Sequence, residues 1–260
     1  MLREAKEEDK KKILQYLELD LKNCIYLYID IMNYGICSEN IKVWIEDKGG
    51  ELSFVLMKYY DSFQIYSNQL QYDLKDVVRL LKEYPVAMVS GKRELIEKLS
   101  EECPDYKVTY GLVFVMDRYR KMHMQAEIAE ATEEDAKEIA ELICTDDELG
   151  GHYTVEGLTD QLKERIRTGT GRSYIIRENN EVVAHTATYA EADKIAVVSG
   201  TIIKPEYRDR NYYILISNYM MEQLTKERKV AYTFSISEKM MQYHDRLHTK
   251  CGEYGKMVRK

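Results

Sequence analysis

The segment from Ile203 to Tyr213 joins a β-type run to a helical run and carries the residue types of an anion site. Its sequence is Ile-Lys-Pro-Glu-Tyr-Arg-Asp-Arg-Asn-Tyr-Tyr. The preceding run, Ile195 to Ile203, is rich in Val and Ile and predicts a strand, and Tyr212 to Thr225 has apolar residues at helical spacing. The start of a helix has unbonded N–H groups and the positive end of the helix dipole. Flanked by Arg208 and Arg210, it is suited to hold a pyrophosphate, so the segment predicts a site for a phosphorylated cofactor.

This segment resembles motif A of the GNAT superfamily of N-acetyltransferases, usually Val-x-Pro-x-Tyr-Arg-x-x-Gly-x-Gly/Ala. The positions that match the motif in register are Ile203, Pro205, Tyr207 and Arg208. Asn211 and Tyr213 stand at its two glycine positions. Because asparagine tolerates a left-handed backbone, Asn211 can keep the turn. A small residue normally lets the backbone approach the phosphates at the second position, so the ring of Tyr213 must either swing outward or narrow the cofactor groove.

The resemblance implies an N-acetyltransferase that takes its acyl group from acetyl-CoA. It implies a loop that binds the pyrophosphate and a strand whose backbone pairs with the pantetheine arm. A backbone N–H of that strand would stabilise the oxyanion that develops from the thioester carbonyl. The loop residues that the resemblance assigns are Arg208, Asp209, Arg210, Asn211, Tyr212 and Tyr213, and the strand residues are Thr201, Ile202 and Ile203.

Residues 247–252, Leu-His-Thr-Lys-Cys-Gly, resemble the family motif Leu-Tyr-x-Lys-x-Gly-Phe, whose tyrosine is the usual general acid. His248 occupies the tyrosine position, and an imidazole with an ordinary pKa of about 6.5 can also protonate the departing thiolate of coenzyme A. The alternative is that His248 only packs on a helix face. As general base, His185, Glu191 and Asp193 are candidates by position alone. The alternatives are that a chain of water molecules serves as base and that these residues are strand or turn residues satisfied by hydrogen bonds, which is the favoured interpretation.

Other kinds of site find little support. His244 and His248 lie four residues apart on a predicted helix, but no further ligand set and no Cys-x-x-Cys pair accompanies them, so we expect no metal. The chain has no Gly-x-Ser-x-Gly motif and no Walker-type loop. With 38 Lys and Arg against 45 Asp and Glu, the net charge of −7 argues against a nucleic-acid partner. The acidic excess mildly favours an amine acceptor, although solubility explains it more simply.

The elements that must position these residues follow a repeated order. Residues 126–260 read as strand, helix, helix, three strands, helix, strand, helix and strand, which predicts an α/β fold (an α+β mixed sheet) with helices on its faces. The same order is that of the GNAT fold. Residues 1–122 repeat much of it without the pyrophosphate loop and resemble a degenerate copy. We predict two tandem GNAT-like domains, 1–122 and 126–260, each a twisted, mostly antiparallel sheet with flanking helices, separated between residues 117 and 125.

The length and composition of the whole chain limit the class of protein and its expected location. Its 260 residues suit two domains. No apolar run approaches the ~18 residues of a membrane helix, so we expect no membrane partner. The N-terminus is too charged for a signal peptide, and the five cysteines form no disulfide framework, so the cytoplasm is the expected location. Oligomerisation is possible.

Together these features predict an acetyl-CoA-dependent N-acetyltransferase that acts on an amine of a small molecule or peptide. The alternative is a catalytically silent GNAT fold retained as a binding or scaffold module, which Asn211, Tyr213 and His248 suggest by their departure from the motifs. The acceptor stays open, because one fold supports many functions and GNAT folds acetylate antibiotics, polyamines, amino acids, peptides and proteins from nearly the same cofactor frame.

Overall fold

The computed structural model describes residues 1–38, 40–70, 72–120 and 126–260. Contacts between residues divide the chain into two compact units. Unit 1 comprises Met1–Val113 and Cys251–Lys260, and unit 2 comprises Phe114–Lys250. The predicted domain limit at residue 122, and residues 121–125 of the predicted boundary, lie outside the described residues. No helix in the described part of the chain is long and apolar enough to cross a membrane.

The secondary structure alternates between strands and helices along the chain. The strands are β1 (Arg3–Glu4), β2 (Ile41–Lys48), β3 (Glu51–Tyr59), β4 (Ser62–Tyr66), β5 (Met88–Lys92), β6 (Tyr106–Val115), β7 (Ala129–Glu130), β8 (Ser173–Glu178), β9 (Glu181–Glu191), β10 (Ile195–Ile203), β11 (Val230–Ser235) and β12 (Thr249–Arg259). The α-helices are α1 (Lys10–Glu18), α2 (Ile25–Tyr34), α3 (Leu74–Glu83), α4 (Arg93–Ser100), α5 (Ala136–Ile143), α6 (Val155–Thr168), α7 (Tyr212–Lys226) and α8 (Glu238–Leu247).

Unit 1 is a mixed sheet with the strand order β1-β2-β3-β4-β5-β12-β6 and helices on both faces. Successive side chains of a strand point to opposite faces, and β3 shows this alternation. Phe54 and Leu56 pack in the core of α3 and α4, whereas Val55 and Met57 pack in the core of α1 and α2. The sheet of unit 1 therefore has two buried faces.

The last strand of the chain completes the sheet of unit 1. β12 lies between β5 and β6, and it pairs antiparallel with β5 from Tyr254 to Val258. Met257 is fully buried in the core of α3 and α4. Ile96 of α4 packs directly against Gly255. A Cβ atom on residue 255 would lie only 2.6 Å from the Cβ atom of Ile96, so a side chain has no room there. The domain predicted for residues 126–260 includes this strand, whereas its partners are strands of the first half.

Unit 2 has the strand order β11-β10-β9-β8-β7. Its neighbouring strands are antiparallel except β10 and β11, which are parallel. Helix α7 covers one face, where Ile176 is buried, and α5 and α6 cover the other, where Ile175 is buried. The element order predicted for the second half is confirmed, and β10 and the start of α7 lie at the predicted residues.

Candidate functional site

Strand β10 contains a bulge at Gly200. Its register with β9 shifts there, and Gly200 has a left-handed φ of 64°. An extra residue in one strand reverses the alternation of its side chains. Val198 before the bulge and Ile203 after it therefore both pack in the core of α7, while Ile202 packs against α5 and α6. The bulge re-aims the backbone of Thr201 to Ile203, the predicted thioester-binding residues. This bulge was not predicted, although an isolated glycine in a strand pattern signals one.

Strands β10 and β11 are paired only where both begin. Their partners run from Ile195 with Val230 to Val197 with Tyr232, and the described residues form no further ladder pairs between them. β10 nevertheless continues to Ile203. An extended ligand can add main-chain hydrogen bonds to a strand edge of this kind. The second half of β10 is therefore the part of the sheet that suits an extended ligand arm.

The loop after β10 keeps the backbone of an anion site. A 3-10 turn, Pro205–Arg210, contains the exposed Asp209 and ends at Asn211. Asn211 has φ 58° and ψ 17°, so the predicted left-handed conformation is confirmed. The first backbone bond of α7 runs from Leu215 N–H to the Asn211 carbonyl at 3.1 Å, and Asn211 makes no side-chain cap. The N–H groups before Leu215 in α7 therefore have no acceptor within the helix.

The two loop arginines differ in their partners. Arg208 is exposed and donates from Nε to the Ile203 carbonyl at 3.3 Å. Arg210 donates to Glu178 at 3.3 Å, and Glu178 also accepts the Tyr212 hydroxyl. That bond raises the pKa of Tyr212. Because Glu178 neutralises Arg210, Arg208 is the loop arginine whose charge is better placed for a phosphate.

Tyr213 packs inward against α8. Its ring meets that of Tyr243 edge to face, with 5.5 Å between the centroids and 86° between the planes. Burial raises the pKa of Tyr213, so the phenol remains protonated at neutral pH. Two placements were expected from the sequence, and the ring does not swing outward. It takes the inward placement, in which it would narrow a cofactor groove.

His248 follows α8 and belongs to a buried aromatic stack. Its side chain is 5% exposed, and its ring stacks on that of His244 with 5.5 Å between centroids. His244 in turn lies 5.7 Å from the ring of Phe114. The Nδ1 atoms of both histidines are buried without a hydrogen-bond partner among the described residues, although His248 Nδ1 lies 3.8 Å from an Asp117 oxygen. The described residues contain no group of three or more side chains that could hold a metal.

The pKa values of the two histidines decide their protonation. Burial lowers the pKa of His244 to about 4. Burial also lowers the pKa of His248, and Asp117 offsets this only in part. Both imidazoles are therefore neutral at neutral pH. In that state His248 can accept a proton at Nδ1 more readily than it can donate one, so a role as acid requires it to gain a proton first.

His185, one of the candidate bases, is fully buried, and both of its ring nitrogens have hydrogen-bond partners. Its Nδ1 lies 2.8 Å from the Gly200 carbonyl, and its Nε2 lies 3.1 Å from Ser173 Oγ. Burial lowers its pKa to about 4. His185 thus holds the bulge of β10 in place, and both of its ring nitrogens are used in doing so.

Glu191 and Asp193, the other candidate bases, lie at the end of β9 and in the following turn. Glu191 is buried and pairs with Arg172 and Lys229. Burial opposes its ionisation, but the hydrogen bonds from Arg172 and Lys229 outweigh it and hold the pKa of Glu191 below its ordinary value. A carboxylate stabilised in this way is a weak base. Asp193 is exposed in its turn.

Neither a protein-family model nor a curated protein matches the sequence, but solved structures match its fold over nearly the whole chain. A GCN5-related N-acetyltransferase-like protein from Streptococcus suis is 11% identical, with a TM-score of 0.65, and the match covers 98% of this chain and 100% of that one. A GCN5-related N-acetyltransferase from Sphaerobacter thermophilus is 11% identical, with a TM-score of 0.61 over 100% and 96% of the two chains.

A third solved structure has two copies of the fold according to its name. It is a tandem GNAT protein from the clavulanic acid biosynthesis pathway, 9% identical, with a TM-score of 0.60 over 99% of this chain and 97% of that one. In the present chain, unit 1 and unit 2 repeat the same order of strands and helices, and the loop with left-handed Asn211 follows the fourth strand of unit 2. The chain therefore has the fold of the GNAT N-acetyltransferases, matched along its length by a tandem member.

Proposed function

We propose that the chain is an N-acetyltransferase that binds acetyl-CoA in unit 2 and acetylates an amine of a small molecule or peptide. The observation that carries the proposal is the join between β10 and α7. There, left-handed Asn211 leads into a helix whose first N–H groups have no acceptor within the helix, and the preceding turn carries Arg208. Unbonded N–H groups at a helix start favour a phosphate group. The named neighbours of the same fold support the reaction class.

The backbone of the loop fits the phosphates of coenzyme A, because left-handed Asn211 keeps the turn and the N–H groups before Leu215 have no acceptor within the helix. The first-turn N–H groups of α7 and the Arg208 side chain would hold the pyrophosphate. The second half of β10, from Thr201 to Ile203, would hold the pantetheine arm at its unpaired edge. When bound, the donor supplies a thioester carbonyl that an amine can attack.

The remaining residues of the site handle protons. His248 is neutral, buried and next to Asp117, so we propose that it accepts a proton at Nδ1 and then returns it to the leaving thiolate. Asp117 would stabilise the imidazolium in between, because a carboxylate near an imidazole favours its charged form. In this proposal His248 still donates a proton to the thiolate, as the sequence suggested, but it must first accept that proton during the reaction.

A silent binding module is the second candidate function, and one observation favours it. Tyr213 and Tyr243 are in contact between α7 and α8, and Tyr213 stands where the resemblance expects a small residue that lets the backbone approach the phosphates. If the ring of Tyr213 narrows the cofactor groove enough to exclude coenzyme A, the fold serves only as a binding or scaffold module.

Calorimetric titration with acetyl-CoA and with coenzyme A distinguishes the two functions. Micromolar binding would support the transferase and justify a screen of amines by thiol release. Absence of binding at millimolar ligand would refute it in favour of the module. Arg208→Ala should weaken the binding of both ligands, because it removes the loop cation, whereas Arg246→Ala, which changes an exposed arginine of α8, should leave it unchanged.

A further inference from the structure

A tyrosine of β9 lies directly on the bulge of β10. A Cβ placed on Gly200 would lie 2.6 Å from the Tyr189 hydroxyl oxygen and 2.9 Å from its Cζ. Gly200 also has a left-handed φ of 64°, which side chains rarely adopt. Glycine is therefore required at this position for two independent reasons, and one of them is the presence of the Tyr189 phenol.

Further contacts hold the same bulge. His185 Nδ1 bonds the Gly200 carbonyl at 2.8 Å, and the hydroxyls of Thr186 and Thr201 are 2.7 Å apart. A strained backbone persists only where its surroundings fix it, and bulges are common beside active sites. The bulge of β10 is thus a defined feature, and its geometry is set by residues of β9.

The Tyr189 hydroxyl has no hydrogen-bond partner among the described residues, and the residue is half-buried. Its ring lies under the Arg165 guanidinium, with 4.8 Å between the guanidinium carbon and the ring centroid. Burial raises the pKa of Tyr189, so its O–H group stays protonated at neutral pH. A phenol that is fixed by its ring and has a free O–H group is a hydrogen-bond donor without an acceptor.

We propose that the Tyr189 hydroxyl donates a hydrogen bond to the reacting acyl carbonyl at the β10 bulge, beside a backbone N–H of β10. This inference rests on the proposed function, since it requires the donor to lie along β10. As the amine nitrogen bonds to the carbonyl carbon, negative charge collects on the carbonyl oxygen and is stabilised by this hydrogen bond. The carbon–sulfur bond then breaks, the sulfur takes its electron pair, and the amine proton passes to His248. Tyr189 keeps its own proton throughout.

Infrared spectroscopy of bound acetyl-CoA with a 13C-labelled carbonyl tests the proposal without turnover. The carbonyl band should move to lower frequency on binding. Tyr189→Phe should remove most of that shift and weaken the calorimetric affinity by no more than about tenfold, the contribution of one hydrogen bond. Tyr219→Phe is the matched control, because it removes the hydroxyl of a half-buried tyrosine on α7. With hydroxylamine as acceptor, turnover of Tyr189→Phe should fall by roughly 10²–10³, the loss typical of one oxyanion donor.

Two results would overturn the proposal, and they are distinguishable. If acetyl-CoA binds and Tyr189→Phe keeps the full carbonyl shift of the wild-type protein, Tyr189 does not contact the carbonyl and the proposed function still stands. If the wild-type protein binds no acetyl-CoA in the calorimeter, the proposed function fails, and the role of Tyr189 fails with it.

Discussion

Tyr213 shows how one side chain can decide between two functions of the same fold. It stands in the first turn of α7, where the family motif has a small residue, and its ring contacts Tyr243 of α8. The contact packs two half-buried aromatic rings together, which stabilises the protein. The same contact opposes any ligand that must pass between the helices. The contact of Tyr213 therefore raises the stability of the protein and lowers its affinity for the acyl donor.

Replacing Tyr213 with Gly should strengthen binding of coenzyme A, because it removes the ring that fills the space beside α7. Isothermal calorimetry measures the affinity, and thermal unfolding records the expected loss of stability. Tyr219→Gly provides the control, since it weakens the same helix without removing the contact with Tyr243. Equal affinities for Tyr213→Gly and the wild-type protein would show that the ring does not obstruct the ligand.

The buried histidines predict a loss of stability in acid. Burial lowers the pKa of His185 and of His244 from 6.5 to about 4, so the unfolded chain binds more protons than the folded chain between these values. Stability is thus complete above about pH 6.5 and is lost as the pH falls toward 4, by about 2 kcal/mol for each histidine at pH 5. Urea unfolding at pH 7 and pH 5 measures this difference.

His244→Phe separates the contribution of one histidine. Phenylalanine keeps an aromatic ring next to Phe114 and has no titrating group, so the difference in unfolding free energy between pH 7 and pH 5 should shrink by about 2 kcal/mol. An undiminished difference in this variant would mean that His244 is not the group that titrates.

At the scale of elements, the bulge of β10 couples two strands. Gly200→Ala should destabilise the protein more than Gly169→Ala. Both glycines have a left-handed φ, of 64° and 69°, but only at Gly200 would a Cβ meet another side chain. Gly169→Ala therefore reports the backbone strain alone, of roughly 1–2 kcal/mol. Urea unfolding gives both values, and equal losses would contradict the tight contact with Tyr189.

A double-mutant cycle measures the contact itself. Tyr189→Ala in the Gly200→Ala background should recover the part of the loss that comes from the ring and leave the part that comes from φ. Additive losses would show that the ring and the bulge do not interact.

The sequence predicts elements well where the signal is local. The bounds of β10 and the start of α7 follow from composition and periodicity. The left-handed conformation of Asn211 follows from the resemblance, which puts Asn211 at a glycine position of the motif. All three are confirmed. The contact of Tyr189 with Gly200 and the stack of His244 on His248 were not predicted. They depend on strand register and on helix packing, which a single sequence does not encode locally.

At the scale of the whole molecule, β12 is the element that local patterns could not place. Its apolar residues predict a strand, but its neighbours β5 and β6 are far away in the sequence. Gly255 and Met257 fit unit 1 through Ile96 and the core of α3 and α4. The fit of β12 to unit 1 can be recognised only when the strands and helices that pack against it are known.

Met257→Ala should therefore weaken unit 1, although the residue lies after unit 2 in the sequence. Removal of a buried methionine side chain costs about 2–5 kcal/mol, and Met257 is fully buried. Hydrogen exchange should accelerate in β4 and β5 and stay unchanged in β8 and β9. The same acceleration in all four strands would show that the effect is not confined to the unit that contains β12.

The position of β12 also sets the order in which the two units can complete their folding during translation. The ribosome releases β5 and β6 early, but the strand that lies between them is made only after all of unit 2. Domains generally fold as they emerge, the first one first. Here the sheet of unit 1 lacks β12 until unit 2 has been synthesised. Unit 1 is therefore the last of the two units to form its complete sheet. Nascent chains of this protein should therefore depend on chaperones that shield unpaired strands.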